Sequence, residues 1–93
     1  MITNRKGYVI VKYMATWCGP CKLLAPVMEA LSEEMKPAPF IEIDVDQHGE
    51  AAAEMGIRGV PTVLIFKDGI EIGRFSGYSP KEELKKKLQA CMT

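Results

Sequence analysis

Histidine and cysteine are scarce in this 93-residue chain, and neither sign of charge is in excess. Each shortage closes off a class of function. Twelve Lys and Arg balance twelve Asp and Glu, so no surplus draws the chain to nucleic acid or to an anionic membrane. No apolar run approaches the ~20 residues of a membrane span. Neither a repeat nor a low-complexity segment is present, and the length fits one domain over residues 1–93. A structural zinc site takes four ligands, yet His48 and Cys91 stand at no ligand-like spacing from the other two cysteines. Zinc is therefore disfavoured, and no metal ligand is assigned. Arg5 and Lys6 ahead of Tyr8-Val9-Ile10-Val11 imitate a secretory signal, but the run is short and Lys12 interrupts it. A cytoplasmic, reducing setting is expected, where paired thiols are more often catalytic than structural.

The most informative residues are Cys18-Gly19-Pro20-Cys21, preceded by Trp17 and followed by Lys22. If a helix starts there, positions i and i+3 share a face with Cα atoms roughly 5–6 Å apart. A disulfide needs about 4.4–6.8 Å, so the pair closes and opens with little backbone movement. Cys18, just ahead of the helix, meets unsatisfied N–H groups and the positive end of the dipole, both of which stabilise a thiolate. Pro20 suits the first turn, where its missing N–H costs nothing. A structural disulfide is the weaker reading, because closing so short a loop contributes little entropy.

Around this motif the pattern predicts βαβαββα. Tyr8–Tyr13 reads as a strand buried on both faces. Leu24, Met28, Leu31 and Met35 recur at helical spacing, with Val27 widening the stripe. Pro26 is expected to kink this helix, and Pro37 and Pro39 to stop it. Phe40–Val45 alternates as a second strand, with Ile41, Ile43 and Val45 on one face. Glu50–Met55 is a short helix with Gly56 at C′. Thr62–Phe66 and Ile70–Phe75 form a hairpin around Asp68-Gly69. Ser79-Pro80-Lys81-Glu82 reads as a capping box with Pro at N1, opening a last helix through Cys91. In that helix Glu82–Lys86 and Glu83–Lys87 are candidate i,i+4 pairs. A strand–helix–strand crossover makes a parallel pair and the Asp-Gly turn an antiparallel one. The expected fold is α/β, a mixed four-stranded sheet with helices on both faces. The Cys pair then lies beyond the carboxyl end of the first strand, where open α/β sheets carry their sites.

From about Val9 onward these residues resemble the thioredoxin family. The likeness is carried by Val11-Lys12-Tyr13-Met14-Ala15-Thr16-Trp17-Cys18-Gly19-Pro20-Cys21-Lys22, Ala25-Pro26, Asp44-Val45-Asp46, Gly56-Ile57-Arg58-Gly59-Val60-Pro61-Thr62, Phe66-Lys67-Asp68-Gly69 and Gly77. The resemblance implies the thioredoxin-like fold and a general protein-disulfide reductase. It makes Cys18 the nucleophile and Cys21 the resolving thiol, supported by Trp17, Gly19 and Pro20. It implies a cis Val60-Pro61 bond and a shallow substrate groove of Trp17, Gly59, Val60, Pro61 and Gly77. No cofactor is implied beyond the Cys18–Cys21 disulfide. The implied partners are disulfide-containing proteins and a thioredoxin reductase or small thiol, met by a monomer. A thioredoxin-fold binding module or enzyme subunit with dispensable thiols is the alternative, and an iron–sulfur scaffold built from two Cys pairs a further one.

Two departures stand out. The family's N-terminal strand and helix have no counterpart in Met1–Gly7, which is expected to expose a sheet edge. The family also carries a buried Asp six residues before the nucleophile, paired with a Lys on the neighbouring strand. Here those positions are Lys12 and Glu42, either an ion pair of reversed polarity or two solvent-facing side chains. Other residues keep plainer readings beside the functional ones. Trp17 reads as groove or core, Gly77 as substrate approach or turn, His48 as a solvated loop or cap residue, and Cys91 as a packed small hydrophobe or a regulatory thiol.

Overall fold

The computed structural model describes residues 7–36 and 38–92. Pro37, one of the expected helix stops, and Arg5 and Lys6 of the signal-like segment lie outside the described residues. The elements run β1 (Tyr8–Met14), α1 (Gly19–Glu34), β2 (Phe40–Asp44), α2 (Gly49–Glu54), β3 (Thr62–Lys67), β4 (Ile70–Ser76) and α3 (Lys81–Cys91). The order βαβαββα is the expected one, with boundaries moved by a residue or so.

The sheet order is β2-β1-β3-β4, with β1 parallel to β2 and antiparallel to β3, and β3 antiparallel to β4. β1 and β3 are central and are apolar throughout most of their length, because both of their faces are covered. On one face Ile10, Val63 and Ile65 pack against Leu24, Met28 and Leu31 of α1 and Leu84 and Leu88 of α3. On the other, Val9, Val11, Tyr13, Leu64 and Phe66 pack with Ala52 of α2, and Ile41, Ile43 and Val45 join them. Burying a side chain such as Leu31 contributes about 1.5–3 kcal/mol, and Leu31→Ala costs about 2–5 kcal/mol because a cavity is added to the lost transfer energy.

The β3–β4 turn places Asp68 at φ 52° and Gly69 at φ 85°, the two left-handed residues that a two-residue hairpin of matching twist requires. Further along, Ile65 pairs with Gly73 but Phe66 pairs with Glu71, so Ile72 is an extra residue, a β-bulge.

Helix α1 runs unbroken through Pro26. The capping box expected at α3 is corrected. Pro80, with ψ 156°, is the N-cap, its carbonyl accepts the Leu84 N–H at 3.0 Å, and no side chain caps the helix. With its carbonyl already serving the first turn, Pro80 takes the place expected of Ser79, and Glu82 and Glu83 supply negative charge to that turn instead. Of the two expected pairs, Glu83 meets Lys87 at 3.7 Å, while Glu82 lies 3.8 Å from Lys81. Glu34, the last residue of α1, reaches Lys81 at 2.6 Å and Lys85 at 2.8 Å and ties α1 to α3.

Candidate functional site

The site forms where three loops meet at the carboxyl end of β1. After Met14 the chain turns through Ala15, fully buried, and the Cys18 N–H donates to the Ala15 carbonyl at 3.2 Å. Cys18 is the N-cap of α1 in extended conformation (φ −84°, ψ 115°), and Pro20 occupies the first turn. The Cys18 carbonyl accepts the Lys22 N–H at 3.3 Å, while its Sγ accepts the Cys21 N–H at 3.1 Å. The sulfur thus takes the part a Ser or Asp oxygen plays at other helix starts. Cys18 and Cys21 are joined as a disulfide with Cα atoms 5.2 Å apart, inside the range anticipated from the spacing.

Both cysteines are buried in this disulfide form, Cys18 at 4% exposed and Cys21 at 2%. The pair is packed against Met14, Val45 and Val60.

Trp17 settles on the exposed side of its two readings, at 69%. Its indole Nε1 donates to Asp46 Oδ2 at 2.8 Å, while the Asp46 N–H donates to Asp44 Oδ1 at 2.8 Å in a local turn. The Trp17–Asp46 bond lashes the loop after β2 to the loop after β1, and the local turn orients Asp46 for it.

The third loop precedes β3. The Val60–Pro61 peptide is cis, and the Val60 carbonyl oxygen lies 3.6 Å from Cys18 Sγ. Thr62 Oγ1 donates to the Gly59 carbonyl at 2.7 Å, and the Gly77 N–H donates to the Pro61 carbonyl at 2.8 Å. Gly77 has φ +83°, so it serves the turn and the approach to Pro61 together. Trp17, Gly59 and Gly77 are exposed and Val60 is half-buried, whereas Pro61 is buried beneath them.

Below the cysteines, Lys12 pairs in register with Glu42 across β1 and β2, and the ammonium meets Glu42 Oε2 at 2.7 Å. The Lys12 side chain is 5% exposed and that of Glu42 56%. The reading as two solvent-facing side chains is set aside. Lys12 has the parity of Ile10 and Met14, on the face that α1 covers, one pleat below the residue that touches the Cys pair. Cys91 is far from this end. It is a half-buried free thiol whose Sγ lies 2.7 Å from where a Cβ on Gly73 would stand. His48, exposed, is the N-cap of α2 without a side-chain cap bond.

A disulfide at a helix N-terminus beside a cis-proline loop is a redox centre, and comparison with known proteins agrees. A family model for thioredoxin matches residues 1–90. The chain belongs to the thioredoxin family. It is 44% identical over 87 residues to a thioredoxin of Mycoplasmoides gallisepticum, covering 94% of this chain and 85% of that one. It is 53% identical over 81 residues to a thioredoxin of Aspergillus fumigatus, covering 85% and 74%. Among solved structures, a thioredoxin from Nicotiana alata superposes with a TM-score of 0.87 at 39% identity, covering 95% of this chain and 76% of the other. As a member of this family the chain is a protein-disulfide oxidoreductase working by dithiol–disulfide exchange. Among the described residues no group of three or more His, Cys, Asp or Glu is arranged to hold a metal ion, and no helix is long and apolar enough to cross a membrane.

Proposed function

We propose that Cys18 is the attacking thiol of a general protein-disulfide reductase and Cys21 the resolving one. In the reduced protein the Cys18 thiolate attacks one sulfur of a substrate disulfide. A Cys18–substrate mixed disulfide forms, and the other substrate sulfur leaves as a thiolate that takes up a proton. Cys21, deprotonated, then attacks Cys18 Sγ, re-forming the intramolecular disulfide and releasing the second substrate thiol. Two electrons pass from the dithiol to the substrate, and a reductase or small thiol restores them. The observation that carries this reading is the Cys21 N–H on Cys18 Sγ at 3.1 Å, because the same helix-end donor stabilises a thiolate there.

Trp17, Gly59, Val60, Pro61 and Gly77 form the substrate groove, with Gly19 and Pro20 supporting the Cys pair beside it. An extended substrate strand lies along Val60, whose carbonyl already faces the reacting sulfur at 3.6 Å. The 4% exposure of Cys18 favours substrates whose disulfide enters this groove in extended form. Lys12 supports the site electrostatically, since an ammonium beneath the pair favours thiolate over thiol, while Glu42 holds it in place. The chain acts as one monomeric domain in a reducing, cytoplasmic setting, with no cofactor besides its own disulfide.

The test is capture. Reduced Cys21→Ser protein mixed with a disulfide-bonded protein such as insulin accumulates a covalent complex through Cys18, which excess thiol dissolves. Release of substrate at the wild-type rate would overturn the assignment of roles. Full biological activity in a Cys18→Ser/Cys21→Ser protein would favour the binding-module reading.

A further inference from the structure

Strand β4 carries a charged device that the redox chemistry leaves unused. In a regular strand, residues three apart point to opposite faces. The bulge at Ile72 changes this. Glu71 stands opposite Phe66 and Arg74 opposite Leu64, two residues of the α2-side cluster, so both charges come onto the face that α2 covers. There Glu71 grips the guanidinium bidentately, with Nε to Oε2 at 2.8 Å and Nη2 to Oε1 at 2.9 Å. The pairing holds the Glu71 carboxyl below its ordinary pKa and the Arg74 guanidinium above its own.

The remaining N–H groups of Arg74 point at the end of α2. Nη2 donates to the Met55 carbonyl at 2.7 Å and Nη1 to the Gly56 carbonyl at 3.4 Å. The Met55 carbonyl is one that a helix C-terminus leaves without an intrahelical partner, at the negative end of its dipole, and the Gly56 carbonyl follows it. Met55 is the C-cap and Gly56, at φ +71°, is the residue that turns the chain. Four residues later comes Val60. The far side of the same segment is held by the residue just past β4, through the Gly77 N–H on the Pro61 carbonyl at 2.8 Å. The chain of β4 and its exit therefore tethers the groove-lining segment at both ends, once by the Gly77 backbone and once by Arg74.

We infer that Arg74, aimed by the Ile72 bulge and clamped by Glu71, is a positioning residue for substrate binding, fixing the base of the Ile57–Pro61 segment so that Val60 is preset against Cys18. This rests on the proposed groove and adds a residue to it that touches neither substrate nor sulfur. Fixing a loop in its bound conformation lowers the ordering cost of association, so its loss is felt in substrate affinity before chemistry.

The experiment measures KM and kcat for dithiothreitol-driven insulin reduction by wild type, Arg74→Ala, Arg74→Lys and Glu71→Gln, well below each protein's Tm. Arg74→Ala is expected to raise KM roughly five- to tenfold, with kcat falling less than about twofold. Arg74→Lys, which keeps a donor for one carbonyl, recovers part of that, and Glu71→Gln, which keeps both carbonyl bonds, raises KM by only about twofold. A lowered Tm with KM at the wild-type value in Arg74→Ala would overturn the inference and leave Arg74 a structural staple. If Arg74→Ala fails to fold, a KM in Arg74→Lys no higher than that of Glu71→Gln overturns it equally. Failure of the wild type itself to reduce insulin would instead sink the proposed function, so the two failures are distinct.

Discussion

At its N-terminus α1 presents Cys18, whose sulfur accepts the Cys21 N–H three residues on. At its C-terminus Glu34 reaches 47 and 51 residues along the chain to Lys81 and Lys85 of α3. The two ends stand in opposite relation to the helix dipole. A negative sulfur is favoured at the first end, whereas a carboxylate is disfavoured at the second. Yet hydrogen bonds from the two ammoniums, Lys81 first, lower the Glu34 carboxyl from 4.5 to about 2. The reactive end is thus made by a handful of neighbouring residues, and the anchored end by a tertiary contact that runs against the local preference.

Removing the sulfur at the reactive end tests the comparison most severely. Cys18→Ser is expected to abolish insulin reduction, by at least about a thousandfold, because Cys21, 2% exposed, and the distant Cys91 are left without a partner thiol to resolve a mixed disulfide. Wild-type turnover in that variant would show that the helix end is not the reaction centre.

Between the two ends, under the middle of α1, lies the Lys12–Glu42 pair. Lys12→Asp alone sets two carboxylates against each other and should destabilise by about 2 kcal/mol, less than the ~3–5 kcal/mol of a wholly buried pair because Glu42 is 56% exposed. Lys12→Asp with Glu42→Lys should recover much of the loss, giving a coupling above ~0.5 kcal/mol in denaturant titrations of the four proteins. Additive effects would mean that the two side chains ignore each other despite their 2.7 Å contact.

The smallest effect belongs to the anchored end. Glu34 has its pKa lowered on folding, so its contribution is full above the unfolded value near 4.5 and is lost as pH falls through about 2. Glu34→Gln should lower Tm modestly at neutral pH, and the gap to wild type should close as the pH approaches about 2. Insulin reduction by this variant should match wild type, since the change is at the far end of the helix. A Tm gap that stays constant down to that pH would mean the ion pairs contribute nothing.

Much of this was legible in the residues alone. Asp68-Gly69 announced the hairpin because few residues tolerate two consecutive left-handed conformations. Leu24, Met28 and Leu31 announced the buried face of α1 because their spacing is that of a helix. Three things were not legible. Asp46 as the partner of the Trp17 indole depends on two loops meeting across 29 residues. Arg74 and Glu71, three apart in a strand, read as pointing to opposite faces until the bulge is known. The N-cap of α3 fell on Pro80 rather than Ser79, since it is the Pro80 carbonyl, in extended conformation, that accepts the Leu84 N–H and opens the helix.

The sequence by itself determined that this protein carries a dithiol able to close on itself. That property needs only a helix beginning at Cys18 and a second thiol one turn on, and both are decided by dihedral preferences of adjacent residues. Tertiary structure alone decided what surrounds the thiols. The Val60 carbonyl reaches Cys18 across 42 residues, and Arg74 reaches the Met55 carbonyl across 19. Contacts of that range have no local signature, because they exist only after the sheet has closed and its faces have been assigned by packing.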